Sequence, residues 1–266
     1  MSAIRPAAVA GTFYPRDARE LAAVVGECLA QAPRDAGPAP KAIIAPHAGY
    51  IYSGPIAGSV YARLASRAGT VRRVVLAGPA HRVYVPGVAV PTARAFASPL
   101  GSVAIDVEAV ESLLALPFVE ASDRAHALEH SLEVHLPFLQ SVLGHFSLVP
   151  LVVGDARPAQ MSAVFGMLWG GPETLVVVSS DLSHYMPYEA ARQRDGGTAR
   201  AIVCLDATLE PEDACGCAPI NGLLHLARER GLEATLVDLR NSGDTAGGRD
   251  QVVGYGAFAF HEARHG

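Results

Sequence analysis

Four apolar runs dominate this chain, and each stops abruptly on a polar residue. "KAIIAPH" ends at His47, "RRVVLAGPAH" at His81, "HFSLVPLVVGD" at Asp155, and "TLVVVSSDLSH" at Asp181 and His184. Each run holds four to six consecutive apolar residues, rich in Val and Ile, without the polar alternation of a half-exposed strand. Runs of that length bounded by Gly or Pro suit strands covered on both faces. Helical patterns lie between them. Leu21, Val24, Val25, Cys28 and Leu29 recur at helical spacing, which predicts a helix over 17–31 capped by Asp17. Ser53 and Pro55 are expected to open a helix over "PIAGSVYARLA". Leu128, Leu132, Leu136, Leu139 and Leu143 share a face of "LEHSLEVHLPFLQSVL", with Pro137 expected to bend it or begin a new turn. "INGLLHLARERG" reads as a helix ending at Gly231, and "RDQVVGYGAFAF" as one more core strand. The alternation predicts an α/β fold, a central mostly parallel β-sheet flanked by helices. With no repeat and no second core pattern, residues 1–266 are expected to form a single domain.

That organisation gives the polar run ends a meaning. In open α/β sheets ligands bind beyond the carboxyl ends of the strands. His47, His81, Asp181 and His184 are therefore expected to meet on one rim, although they are far apart in sequence. Two imidazoles with one carboxylate would suit non-haem Fe(II), and three imidazoles would suit Zn(II). The residues alone leave both open.

Several classes fall away. A formal net charge of -5 does not supply the basic surface that a nucleic-acid binder needs. No apolar stretch is long enough to span a bilayer, and "MSAIRPAAVAGTFYPRDARE" carries no sustained apolar segment of the signal-peptide kind. A cytoplasmic protein with no membrane partner is the expectation. Four cysteines are too few for a disulfide scaffold, and Cys215 and Cys217 in "ACGCAPI" are expected to be reduced packing thiols. In "EHSLEVH" the histidines His130 and His135 are five apart, whereas HExxH sets them four apart on one helical face. Glu129, His130 and His135 are then either groups that orient metal ligands or the polar face of a helix. "SSDLSH" lacks the GxSxG elbow of a serine hydrolase.

The boxes "AVAGTFYP", "APHAGYIYSGPIAGSVYARL", "LAGPAHRVY", "EHSLEVHLPFL", "VVVSSDLSHY" and "CGCAPINGLL" occur in this order from about Ile4 to Phe260. In that order and spacing they resemble the Memo family, whose bacterial members are also called AmmeMemoRadiSam system protein B. The resemblance implies a single-domain fold like that of the class III extradiol (LigB-type) non-haem iron dioxygenases. It implies His47 and His81 as metal ligands, His184 as the acid/base, and Asp181 in the same pocket. Tyr50 and His130 are the candidates for substrate contact. The vertebrate-type relative uses a cysteine as its remaining ligand. Alignment of "RNSGDTAGG" puts Asp244 there, completing a two-histidine, one-carboxylate set. Fe(II) is then the foremost cofactor, with Zn, Mn or Cu as alternatives. Many relatives carry arginine where this chain has Cys217. The function implied is a non-haem iron-dependent oxidoreductase of extradiol-dioxygenase type acting on a small molecule. The alternative is a non-catalytic ligand- or peptide-binding protein on the same scaffold. The system name further implies radical SAM and AMMECR-type partner proteins.

Overall fold

The computed structural model describes residues 3–32 and 39–262. Its strands are β1 (Ile4–Arg5), β2 (Ala42–Ala45), β3 (Arg73–Pro79), β4 (Val88–Val90), β5 (Ala95–Ser98), β6 (Gly101–Ala104), β7 (Val119–Ala121), β8 (Ser147–Val153), β9 (Thr174–Ser179), β10 (His184–Met186), β11 (Leu232–Asn241) and β12 (Val252–Glu262). Its α-helices are α1 (Ala18–Ala30), α2 (Tyr50–Tyr61), α3 (Val107–Leu113), α4 (Asp123–Ala127), α5 (Leu136–Leu143), α6 (Pro158–Leu168), α7 (Tyr188–Val203) and α8 (Cys217–Arg230).

The four apolar runs are β2, β3, β8 and β9, and they lie side by side. The main sheet runs β12-β2-β9-β3-β8-β4-β7, with β10 and β11 both pairing with β12. Its centre, β2-β9-β3-β8, is parallel throughout. Parallel pairing returns at the β4–β7 margin, while β12 and β4 run antiparallel to their inner neighbours. The expected α/β architecture is therefore present, with the parallel strands at its middle. A small second sheet, β1-β5-β6, stands apart.

The unbroken apolar runs follow from burial on both faces. Every residue of β2 and β9 is buried, and in β3 and β8 only the first residue is partly exposed. One helical layer is α1, α2 and α5; another is α6 and α8. Fully burying a Val, Leu or Ile side chain stabilises by about 1.5–3 kcal/mol, so Ile43 or Val177 cut to Ala would cost several times what a surface change does. The layers are tight. At Gly58 in α2 any Cβ would fall 2.4 Å from the Cys28 carbonyl oxygen, so α1 can cross there only over glycine. Asp17 caps α1 as expected, accepting from the Arg19 and Glu20 N–H groups. Gly231 closes α8 in the left-handed conformation.

Two helix boundaries differ from expectation. α2 begins at Tyr50, ahead of Ser53, because the Tyr52 and Ser53 N–H groups already bond to the Gly49 carbonyl. The Ser53 hydroxyl turns to the Ala48 carbonyl instead of capping, and Pro55 sits inside the helix. Residues 128–143 are not one helix. α4 ends at Ala127, Leu128 is exposed, Glu133–His135 form a single 3-10 turn, and α5 starts with Pro137 in its first turn. No helix among the described residues is long and apolar enough to cross a membrane.

Candidate metal centre

Because β2, β9 and β3 are parallel, their carboxyl ends open on one side. His47, Asp181 and His81 each stand two residues past those ends. They border a cleft of about 680 Å³, together with Phe13, Tyr52, Arg82, His130, His184, Tyr185 and Tyr255. The imidazoles of His47, His81 and His130 each bring a nitrogen within 4.8 Å of the others. Ring centroids are 5.2 Å apart for His47 and His81, 5.5 Å for His47 and His130, and 4.7 Å for the stacked His81 and His130.

Hydrogen bonding fixes how two of the rings present themselves. The Ser179 hydroxyl donates to the Ser131 carbonyl at 2.5 Å, so it can only accept from the His47 ring, whose Nδ1 lies 2.6 Å away. His47 thus carries its proton on Nδ1 and leaves Nε2 as a lone-pair donor. The Cys215 sulfur lies 3.4 Å from that Nε2. Burial, then the Asp181 charge, push this thiol up to about 12, so it stays protonated. His81 is set by Glu129: the His81 backbone N–H and ring Nδ1 both donate to its carboxylate, at 2.6 and 3.0 Å. Nε2 of His81 is the remaining nitrogen. An imidazole anchored through one nitrogen and offering the other is the arrangement metal-binding histidines use. His130 has its Nδ1 buried 3.4 Å from Glu129 without a hydrogen bond of acceptable geometry. Its ring is held between His81 and Phe13.

Burial favours the neutral ring at His47, His130 and His184. Burial, then the neighbouring histidines, hold His47 well below the usual imidazole range. Burial likewise lowers His130, to about 4. His184, on the solvent side of the cleft, is lowered by partial desolvation and then by His81. Glu129 is buried, which by itself would raise its pKa. The His81 hydrogen bond and charge and the Ser131 and His81 N–H groups outweigh this and hold it at about 2. Asp181 goes the other way. It accepts the His47 N–H at 2.8 Å, yet burial pushes its pKa up to about 7.

The structure thus gathers His47, His81, His130, Asp181 and His184. It does not bring Asp244 to the imidazoles. Asp244 ends a 3-10 turn (Ser242–Asp244), where its carboxylate accepts from the Tyr188 hydroxyl at 2.5 Å and the Asn241 N–H at 3.0 Å. His130 stands in the cluster instead, so the group that could hold an ion is three imidazoles rather than two and a carboxylate. Tyr50 is also elsewhere: it is buried, packs on Tyr14 and Phe138, and donates to the Val134 carbonyl at 2.6 Å. Tyr52, two residues on, lines the cleft. Its place follows from the earlier start of α2.

The box "EHSLEVH" divides its labour. Glu129 and His130 serve the cleft. Glu133 is fully buried and accepts from Arg5, from the Ala8 and Val9 N–H groups, and from the Tyr14 hydroxyl at 2.6 Å. It pins the N-terminal segment, which in turn carries Phe13 to His130. His135 packs in the core beside the Tyr61 hydroxyl. From the sequence Ser179 is weighed only as a hydrolase serine and Cys215 only as a packing thiol. The glycine after Cys215 is the signal that places both here: at Gly216 a Cβ would fall 2.6 Å from the Ser179 carbonyl oxygen. That close approach brings Cys215 to His47.

Comparison with known proteins agrees with this architecture. The family described as Memo-like protein matches residues 5–259. A MEMO1 family protein of Ignicoccus hospitalis is 39% identical over 97% of this chain and 98% of its own. Those of Aquifex aeolicus and Methanopyrus kandleri are 38% and 37% identical, over 95% and 96% of this chain and 97% and 98% of theirs. The crystal structure of an uncharacterized protein from Escherichia coli superposes with a TM-score of 0.52 at 16% identity, covering 80% of this chain and 98% of that one. At that identity the likeness is one of fold alone.

Proposed function

The chain belongs to the Memo family, and on that premise we propose that it is a metal-dependent oxidoreductase of the extradiol-dioxygenase kind. His47, His81 and His130 would hold a divalent first-row metal: Zn(II) by the three-imidazole set, or Fe(II) by the likeness to the iron dioxygenases. The observation that carries the metal reading is the anchoring of two rings through Nδ1, on Ser179 and Glu129, which leaves their Nε2 atoms for a ligand. Imidazole nitrogens suit both metals, and three protein ligands leave positions open for a substrate. The choice of an oxidoreductase rests on the likeness of fold to the extradiol dioxygenases.

Bound there, the metal would supply Lewis acidity and, if iron, one-electron chemistry. The chain's own groups do the rest. His184, at the open side of the cleft, takes or returns a proton at a substrate hydroxyl. Asp181 fixes the His47 backbone and, with its pKa near neutrality, can hold a proton beside the centre. Glu129 keeps His81 in one tautomer and one orientation.

The test is anaerobic titration of the metal-free protein with Fe(II) and Zn(II), for the parent and for His47→Ala, His81→Ala and His130→Ala. Each variant is expected to bind at least about tenfold more weakly, the loss of one charge-assisted ligand bond or more. Unchanged binding in all three variants would refute the metal reading. Oxygen uptake with a panel of catechols by the Fe(II)-loaded protein then separates an enzyme from a non-catalytic ligand-binding protein.

A further inference from the structure

We propose that Tyr185 is a ligand-contacting, specificity-determining residue of the cleft, held there by a backbone kink that turns two consecutive side chains into one cavity. This rests on the reading of the cleft as the ligand site of the metal centre. In β10 His184 lies opposite Val253 and Met186 opposite Val252. Three residues of one strand thus face two of the other, and Tyr185 is the extra one, the residue of a β-bulge. Bulges of this kind re-aim side chains beside functional sites. In a regular strand neighbours point to opposite faces. Here His184 and Tyr185 both line the cleft, their rings 5.9 Å apart and edge to face.

The kink is a left-handed one, with φ of 56° at Tyr185. Among the described residues only Leu205 shares a positive φ without being glycine, and it lies just past α7, where left-handed geometry is the ordinary way to end a helix. Tyr185 has no helix end to account for it. Glycine or asparagine takes this conformation with little strain, whereas a bulky aromatic does not. Packing does not compensate, because Tyr185 is 70% exposed. The fold gains little from this ring and bears the strain of carrying it. What the ring does contribute is a wall of the cleft, with Phe13, Tyr52 and Tyr255 as its other aromatic members and Arg82 at the edge. Such a wall takes a planar ring, which Tyr185 can cover by stacking or edge contact.

The experiment uses Zn(II)-loaded full-length protein and 4-nitrocatechol, whose visible spectrum reports its binding at a metal that does not turn it over. Tyr185→Gly and Tyr185→Asn keep the kink and remove the ring; Tyr185→Phe keeps the ring. Glycine is expected to leave Tm unchanged or raise it by about 2 °C. Both Gly and Asn variants are expected to bind 4-nitrocatechol about threefold to tenfold more weakly, the contribution of one aromatic pair. Phe should bind like the parent, and zinc affinity should be the same in all four proteins. Parent-like probe binding in the glycine variant, or a loss in Phe equal to that in Gly, overturns the proposal while the metal centre stands. The same holds if the parent binds zinc but not the probe. Failure of the parent to bind zinc overturns the metal reading itself.

Discussion

β2 has a polar residue at each end, and the two ends behave oppositely. At its amino end Lys41 is 6% exposed, and its ammonium donates to the carbonyls of Trp169, Gly171 and Thr174 at 2.7, 2.6 and 2.8 Å. Arg67 beside it donates to the carbonyls of Pro40 and Pro172. Together they tie the turn before β9 to the start of β2. At the carboxyl end His81 and His130 each keep a nitrogen uncommitted to the scaffold, and Nε2 of His47 meets only the weakly bonding Cys215 thiol, at 3.4 Å. The hollow at the amino end, about 760 Å³, is larger than the cleft at about 680 Å³. Size therefore does not distinguish a site from a gap. A buried polar group with every donor used on backbone is scaffold. One held through a single atom, with another atom aimed into a cavity, is available for chemistry.

The sharpest way to break that contrast is Lys41→Met. It strands three carbonyls that the ammonium satisfies, at an expected cost of about 3 kcal/mol of stability. Metal affinity should not change. Urea unfolding of the metal-free protein, paired with zinc titration, reads both quantities. Weakened zinc binding with unaltered stability would contradict the division between the ends. Glu129→Gln should give the reverse pattern. It removes the charge that fixes His81, and such partners typically contribute 10- to 100-fold in metal affinity. Its stability loss should be the smaller of the two, because the Gln oxygen can still accept from the Ser131 N–H and the His81 Nδ1, and only the His81 backbone N–H loses its acceptor.

The same contrast explains what could be read without coordinates. The four central strands were legible because burial on both faces leaves an unbroken apolar run. The rim residues His47, His81 and Asp181 were legible because such runs must end where the sheet does. What a linear reading misses is contact between elements. His130 comes from an irregular turn, and its place beside His47 depends on Glu133 pinning the N-terminal segment. Ser179 lies inside the run read as a strand, and nothing in the sequence tells that its hydroxyl sets the His47 tautomer. Tyr50 and Tyr52 exchange roles because α2 starts earlier than its Ser-Pro signal suggests. Asp244 was placed at the centre by alignment through a glycine-rich stretch, where a shift of a residue or two leaves no trace in the apolar pattern.

Acid should act through the imidazoles and not through Lys41. Burial holds His126 to about 4 and His135 to about 3, against an ordinary value near 6.5. His47, His130, His184 and His261 are lowered as well. Between those folded values and 6.5 the unfolded chain binds protons that the folded chain refuses, so stability falls as pH drops below 6.5. Asp181 and Asp195 have raised values and act in the opposite sense, but they are two groups against six. Lys41, lowered by burial only to about 8, stays charged throughout this window and contributes no slope. The urea midpoint of the metal-free protein is expected to be lower at pH 5 than at pH 7. An equal or higher midpoint at pH 5 would mean that the buried imidazoles do not govern its acid response.

The smallest effect is expected from Asp244→Asn, and it bears on the resemblance most directly. Asp244 is engaged by Tyr188, over whose ring the Arg249 guanidinium lies at 4.4 Å. Ser242, Gly247, Gly248 and Gln251 of the same segment reach the cleft wall, but Asp244 turns away from it. The asparagine oxygen can still accept from the Asn241 N–H while its amide N–H donates to the Tyr188 hydroxyl oxygen, so the turn should survive. Zinc affinity is expected to stay within about twofold of the parent, as for substitutions outside a binding site. A tenfold loss would mean that this segment rearranges to carry the carboxylate to the metal. The donor set in the loaded protein would then be that of the iron dioxygenases, with His130 returned to the substrate side. A null result fixes the centre as three imidazoles and directs the search for a metal toward those that accept an all-nitrogen protein shell.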